Sequence, residues 1–150
     1  MQYTGQSLLN IVTANGFGRE IGIKQGIKVF NKISGFLKTD EEIKIVFYGG
    51  TKRGLWKTRL HNFGCVITNK TLIIGTAHVQ WPSVQVKLFN ASDIVYIKRI
   101  STKLIGFTAH RILFKVGKDL LNFYFFQKDA DKVYNTLKRV LNSTNVEFKS

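Results

Sequence analysis

From residue 42 to residue 127 the chain reads as about seven short extended runs separated by turn residues, with no helical stretch between them. The runs cover 43–48, 60–68, 71–77, 84–89, 94–100, 107–116 and 120–127. Parallel strands need crossover connections a dozen or more residues long, usually helical, and these runs leave no room for them. The sheet is therefore expected to be antiparallel, and to close on itself or nearly so. Asn69-Lys70 joins two runs as a hairpin turn, because Asn tolerates positive φ, and Gly117-Lys118-Asp119 joins the last two in the same way. Trp81-Pro82 falls in a connection, since proline cannot donate to a central ladder.

Helical patterns flank the strands. Near the start, Ser7 precedes Leu8, Leu9, Ile11 and Val12, and Asn15-Gly16-Phe17-Gly18 breaks the pattern. Ile23, Ile27, Phe30, Ile33 and Leu37 then recur at steps of three and four, with Lys24, Lys28 and Lys32 on another face. Gly22, Gly26 and Gly35 each cost about 1 kcal/mol in a helix interior, so this second helix needs packing to hold it. Its lysine face is either the wet side of a packed helix or a basic element that lies on an anionic surface. After the strands, Asp129 stands as N-cap or first-turn acid of a closing helix that carries Val133, Tyr134, Leu137, Val140 and Leu141 on one side. The expected division is a helical extension over 1–40 and a mainly β barrel with its C-terminal helix over 41–150.

A chain of 150 residues, 44% of them apolar, supports one ordinary core. Cys65 is the only cysteine, which excludes an intramolecular disulfide and a thiolate-rich metal cluster. The sequence has no leader pattern and no window approaching the roughly 20 apolar residues of a membrane span. The expectation is a cytoplasmic protein, peripheral at most at the inner membrane face. A net charge of +14 directs it towards polyanions: nucleic acid, anionic headgroups or an acidic protein.

That charge is unevenly placed. Residues 43–92 contain no Asp or Glu, yet they hold Lys44, Lys52, Arg53, Lys57, Arg59, Lys70 and Lys87. Four of the seven crowd into Thr51-Lys-Arg-Gly-Leu-Trp-Lys-Thr-Arg-Leu-His61, a loop between the first two strands. Lys70 and Lys87 belong to other connections and strands. The candidate binding set is therefore Lys44, Lys52, Arg53, Trp56, Lys57 and Arg59. Either Trp56 lies against a partner while the bases meet phosphates or carboxylates, or it folds back on the barrel mouth and the bases form a solvated rim.

Asp40-Glu-Glu-Ile43, Gly64-Cys-Val-Ile-Thr-Asn-Lys-Thr-Leu-Ile-Ile74, Val86-Lys-Leu-Phe-Asn-Ala-Ser-Asp-Ile94 and Phe125-Phe-Gln-Lys-Asp-Ala130 resemble the bacterial pleckstrin-homology-like domains, in particular the YokE-like group of phage and Firmicute proteins. The resemblance spans roughly 39–143 and implies a bent seven-stranded antiparallel barrel capped by a C-terminal helix. Eukaryotic domains of this fold often hold phosphoinositide headgroups with a basic residue, a spacer and an arginine at the start of the second strand, and Lys57-Thr58-Arg59 is similar to that element. The resemblance also implies that the chain can form a homo-oligomer.

Catalysis has little to stand on. Cys65 sits between apolar neighbours, His61, His78 and His110 lack metal-ligand spacing, and Asp40-Glu41-Glu42 read as a solvated turn. Gly16-Phe-Gly18 lacks the context of a phosphate loop, and Phe123-Tyr-Phe-Phe126 alternates faces without the signature of an RNA-recognition sheet. No enzyme, metal or cofactor is expected. The leading expectation is a non-enzymatic binding module that presents 51–61 to an acidic protein or anionic membrane. The alternatives are a nucleic-acid binder, or a mobile-element effector that inhibits a host nucleic-acid enzyme.

Overall fold

The computed structural model describes residues 3–16, 23–50, 61–78, 83–125 and 127–150. Two helices, α1 (Gly5–Ala14) and α2 (Ile23–Ser34), precede seven strands. The strands are β1 (Ile43–Gly50), β2 (His61–Thr68), β3 (Thr71–His78), β4 (Val84–Asn90), β5 (Ile94–Leu104), β6 (Phe107–Val116) and β7 (Asp119–Phe125). The helix α3 (Gln127–Val140) follows, and a short strand, β8 (Glu147–Lys149), closes the order. The mainly β reading with N-terminal helices and a C-terminal helix is what the structure has. The turns at 69–70 and 117–118 fall where expected, and Gly117 takes a φ of 57°. Trp81, Pro82, Phe17, Gly18, Gly22 and Phe126 lie outside the described residues.

The sheet has eight strands in the order β4-β3-β2-β1-β7-β6-β5-β8. Every pairing is antiparallel except β5 with β8. Among the described residues it is an open sheet with β4 and β8 at its edges, rather than a fully closed barrel. β8 was not expected: three residues carry no periodicity, and Phe148 packs against Tyr134 of α3, ring centroids 5.9 Å apart. The Tyr134 hydroxyl also donates to the Lys149 carbonyl at 2.7 Å.

Among the described residues the two halves of the sheet meet at one register pair, Gly50 with Tyr124. Their inner faces close on each other through phenylalanines. Phe47 and Phe63 of the first half lie 5.5 Å and 4.4 Å from Phe123 of the second, and Phe47 also reaches Phe114 and Phe125. Tilted and edge-on ring pairs of this kind add to the free energy of simple burial. Helix α3 packs against β1, β6 and β7, with Ala130, Val133 and Leu137 in the core.

On the opposite, outer face, the register sets three rows across β1–β4: Val46-Val66-Ile73-Leu88, Tyr48-Gly64-Gly75-Val86 and Gly50-Asn62-Ala77-Val84. None of the twelve positions is charged. Gly64 and Gly75 make a trough into which α2 presses Val29, Phe30 and Ile33. A Cβ on Gly64 would stand 2.8 Å from Val29 Cγ1 and 2.9 Å from Phe30 Cε1. Gly26, the glycine that weakens α2 as an isolated helix, lets Leu9 of α1 and Tyr48 of β1 approach it. Helix α1 is capped by Thr4 rather than Ser7. The Thr4 hydroxyl accepts from the Ser7 amide, and the Ser7 hydroxyl accepts from the Thr4 amide. The pattern Ser-Leu-Leu concealed this, because Ser7 is the N3 partner of the cap.

Candidate functional site

The acid-free stretch resolves into three groups. The Lys70 ammonium lies 2.7 Å from Asp40 Oδ2, and Lys44 lies 3.4 Å from Glu42 Oε1. The hydrogen bond and charge of Lys70 hold the Asp40 carboxyl below its usual range, and Asp40 raises Lys70 in return. Lys87 is exposed on the edge strand β4. Lys52, Arg53, Trp56, Lys57 and Arg59 fall outside the described residues.

Lys44 and Gly50, the last described residue before that segment, are separated by roughly 20 Å of extended strand. Lys44 instead lines a cavity of about 450 Å³ with Thr68, Asn69, Ser92, Ser143 and Asn145, below the end of α3. Gly50 is partnered by Asn62 of β2 and Tyr124 of β7, on the line where the two halves of the sheet join.

In the acidic triplet Asp40 and Glu42 stay exposed, as a solvated turn would have them, but Glu41 does not. Glu41 is buried, and its two carboxylate oxygens accept from the Thr68 and Thr71 hydroxyls, both at 3.0 Å. The Glu42 amide donates to Asn69 Oδ1 at 2.9 Å, and the Asn69 amide returns a bond to the Glu42 carbonyl at 3.0 Å. The segment 40–42 is thus a clasp on the β2–β3 turn. Short-range patterning could not reveal it, because its partners lie about thirty residues away.

Cys65 is fully buried, and burial pushes its thiol well above the ordinary range, which leaves it protonated and inert. His110 belongs to a polar network on the inner face of β5 and β6. Arg99 donates to His110 Nδ1 at 2.9 Å, to the Ile100 carbonyl at 2.8 Å and to Ser101 Oγ at 3.2 Å, and it pairs with Asp131 of α3 at 3.2 Å. Arginine can only donate, so His110 Nδ1 accepts and the ring is held neutral with its proton on Nε2. Burial first, then the Arg99 charge, lower the His110 pKa from its usual value. Among the described residues no three His, Cys, Asp or Glu side chains gather as metal ligands.

One surface escaped the reading of the strands as core. On the outer face of β5–β7 the register sets three rows: Tyr96-Lys115-Leu120, Lys98-Leu113-Asn122 and Ile100-Arg111-Tyr124. Each row carries one cation and none carries an acid. The signal was present in the alternation of Tyr96, Lys98 and Ile100 and of Arg111, Leu113 and Lys115. It becomes visible only once the hairpins fix which positions stand side by side.

Neither a protein-family model nor a curated protein sequence matches this chain. Two solved structures share its fold. The hSac2 domain from the human phosphoinositide phosphatase Sac2 superposes with a TM-score of 0.56 at 9% identity, covering 89% of this chain and 90% of that one. The pleckstrin homology domain from Shewanella amazonensis SB2B superposes with a TM-score of 0.50 at 17% identity, covering 73% of this chain and 91% of that one. The chain has a pleckstrin-homology-like fold.

Proposed function

We propose that the protein is a non-enzymatic binding module that engages an anionic partner through the basic segment 51–61, with Lys52, Arg53, Lys57 and Arg59 meeting phosphate or carboxylate oxygens and Trp56 lying against the partner. The observation that carries this reading is the distribution of counter-charge. Glu42 and Asp40 stand beside Lys44 and Lys70, and in the sequence the four bases of the loop lie in a stretch, 43–92, that holds no acid of its own. Lys44 is the weakest member of the set, since Glu42 already offsets its charge. A place within the YokE-like bacterial and phage group is part of the same reading.

The anion is a lipid headgroup at the inner membrane face or a cluster of carboxylates on an acidic protein. The fold likeness to a domain from a phosphoinositide phosphatase makes the headgroup the first source to test. Among the described residues no helix is long and apolar enough to cross a bilayer, so attachment would be peripheral. Co-sedimentation with vesicles at physiological salt separates the sources. The expected result is recovery with anionic vesicles, none with neutral ones, and loss of recovery in the variant K52Q/R53Q/K57Q/R59Q. Equal recovery with both kinds of vesicle removes the membrane form. An unchanged variant removes the loop as the site.

A further inference from the structure

The outer face of the sheet continues from β1–β4 onto β5–β7, because Gly50 and Tyr124 are register partners and so point to the same side. Among the described residues its helical cover does not continue. The helices α1 and α2 rest on the first four strands and α3 packs on the inner side, so among the described residues no helix lies over the outer face of β5–β7. An uncovered sheet face normally carries mixed charges, whose attraction to water suffices. This one carries Lys98, Arg111 and Lys115 with no acid within its rows, and Tyr96, Tyr124 and the 56% exposed Leu120 stand among them. Of the edge strand beside it, Glu147 brings one acid and Lys149 another cation, whose ammonium sits 4.2 Å over the Tyr96 ring.

We propose that the outer face of β5–β7 is a docking platform for single-stranded nucleic acid, built on residues other than those of the segment 51–61. The charge of the face, one cation in every row, matches a polyanion that runs along the strands and meets a cation in each successive row, the rows being about 7 Å apart. Tyr124 is half-buried at the row that also holds Arg111, so an unstacked base can lie on its ring while the guanidinium meets the adjacent phosphate. Arg111 is steadied for that role, because it donates to Asn122 Oδ1 at 2.7 Å. The Asn122 amide NH₂ group supplies donors of the kind a base edge accepts. A duplex hides its base faces and would use only the charges, and an acidic protein would do the same. Tyr124 is what selects the single strand.

Fluorescence anisotropy with a labelled oligonucleotide of about 12 nucleotides, a length within the usual site sizes, tests the proposal. Tyr124→Leu keeps apolar bulk and removes the stacking ring, and it is expected to weaken binding about tenfold. K98E/K115E is expected to weaken binding further and to make the affinity less dependent on salt by about 1.4 in log-log slope. Should the double variant lose its circular dichroism spectrum, K98Q/K115Q makes the same measurement with less repulsion. No binding of the oligonucleotide at low salt overturns the proposal. So does a Tyr124→Leu variant that binds as tightly as the parent, or a blunt duplex or poly-glutamate that displaces the strand as well as an unlabelled single strand does. Complete loss of binding in K52Q/R53Q/K57Q/R59Q with no effect of the face variants transfers the activity to the loop and overturns it as well.

Discussion

The outer faces of the two halves of the sheet are built alike and finished differently. Over β1–β4, three rows of uncharged residues include a glycine trough that seats Val29, Phe30 and Ile33 of α2. Over β5–β7, three rows of the same geometry each spend one position on a cation, and among the described residues no helix lies over them. A helix could not be laid over the second face without burying Lys98, Arg111 and Lys115, and an unpaired buried cation is far costlier than any packing gain there. The alternation of side chains along a strand thus decides which face receives part of the chain itself and which is left for something else.

The largest expected effect is at the covered face. Phe30 of α2 is fully buried against the sheet, its ring 5.7 Å from that of Tyr48, so Phe30→Ala should cost about 3–5 kcal/mol in denaturant unfolding. Tyr124→Ala on the bare face removes a half-buried ring and should cost about 1 kcal/mol. Equal losses would mean that the second face is also covered, and the comparison would fail.

Next comes the trough. The added methyl of Gly64→Ala meets Val29 and Phe30 below normal contact distance, so α2 must shift, at about 2 kcal/mol. Hydrogen exchange should report this as faster exchange of the α2 amides, with β5–β7 unchanged. Uniform acceleration across the sheet would show that α2 is not a separately docked layer.

The adjacent pair Lys98 and Arg99 tests the alternation itself. Arg99, 12% exposed on the inner side, binds Asp131, Ser101 and His110, and Arg99→Ala should cost about 2 kcal/mol. Lys98, exposed on the outer side, has no acid beside it among the described residues, and Lys98→Ala should stay within about 0.5 kcal/mol. A reversal of these two values would put the wrong face outside.

Much of this organisation is legible in the sequence, and the reasons are local. Asn69-Lys70 and Gly117-Lys118 mark their hairpins because a two-residue turn needs residues that tolerate positive φ, and α3 shows its stripe because Val133, Tyr134 and Leu137 repeat at helical spacing. What is not legible depends on distant partners. Glu41 looks solvated until the Thr68 and Thr71 hydroxyls reach it, and Lys44 looks like one more base of the loop until Ser143 and Asn145 line a cavity with it. The docking of α2 is foreshadowed by its glycines, which weaken a free helix, but not the trough that receives it. The cations of β5 and β6 are plain in the sequence as residues. Their alignment into rows is a property of register, which no single strand encodes.

The smallest expected effect is a pH dependence confined to the inner side of β5–β7. Arg99 and Asp131 are the charged groups that face His110; Arg99 and burial favour the neutral ring, and Asp131 opposes them more weakly. In the unfolded chain His110 titrates near 6.5, and in the folded protein its pKa is lower. Between the two values the unfolded state binds more protons, so stability rises with pH there. The contribution is complete above about pH 6.5 and is lost as pH falls from there through the folded value. His110→Gln keeps an acceptor for Arg99 and cannot titrate. Urea midpoints for the two proteins should therefore differ by a constant amount above pH 7 and change relative to each other as the pH falls below 6.5, with the parent losing more. If the two curves stay parallel through that window, His110 accepts its proton without losing Arg99. The inner network would then be no better paired than the outer face, and the contrast between Lys98 and Arg99 would rest on burial alone.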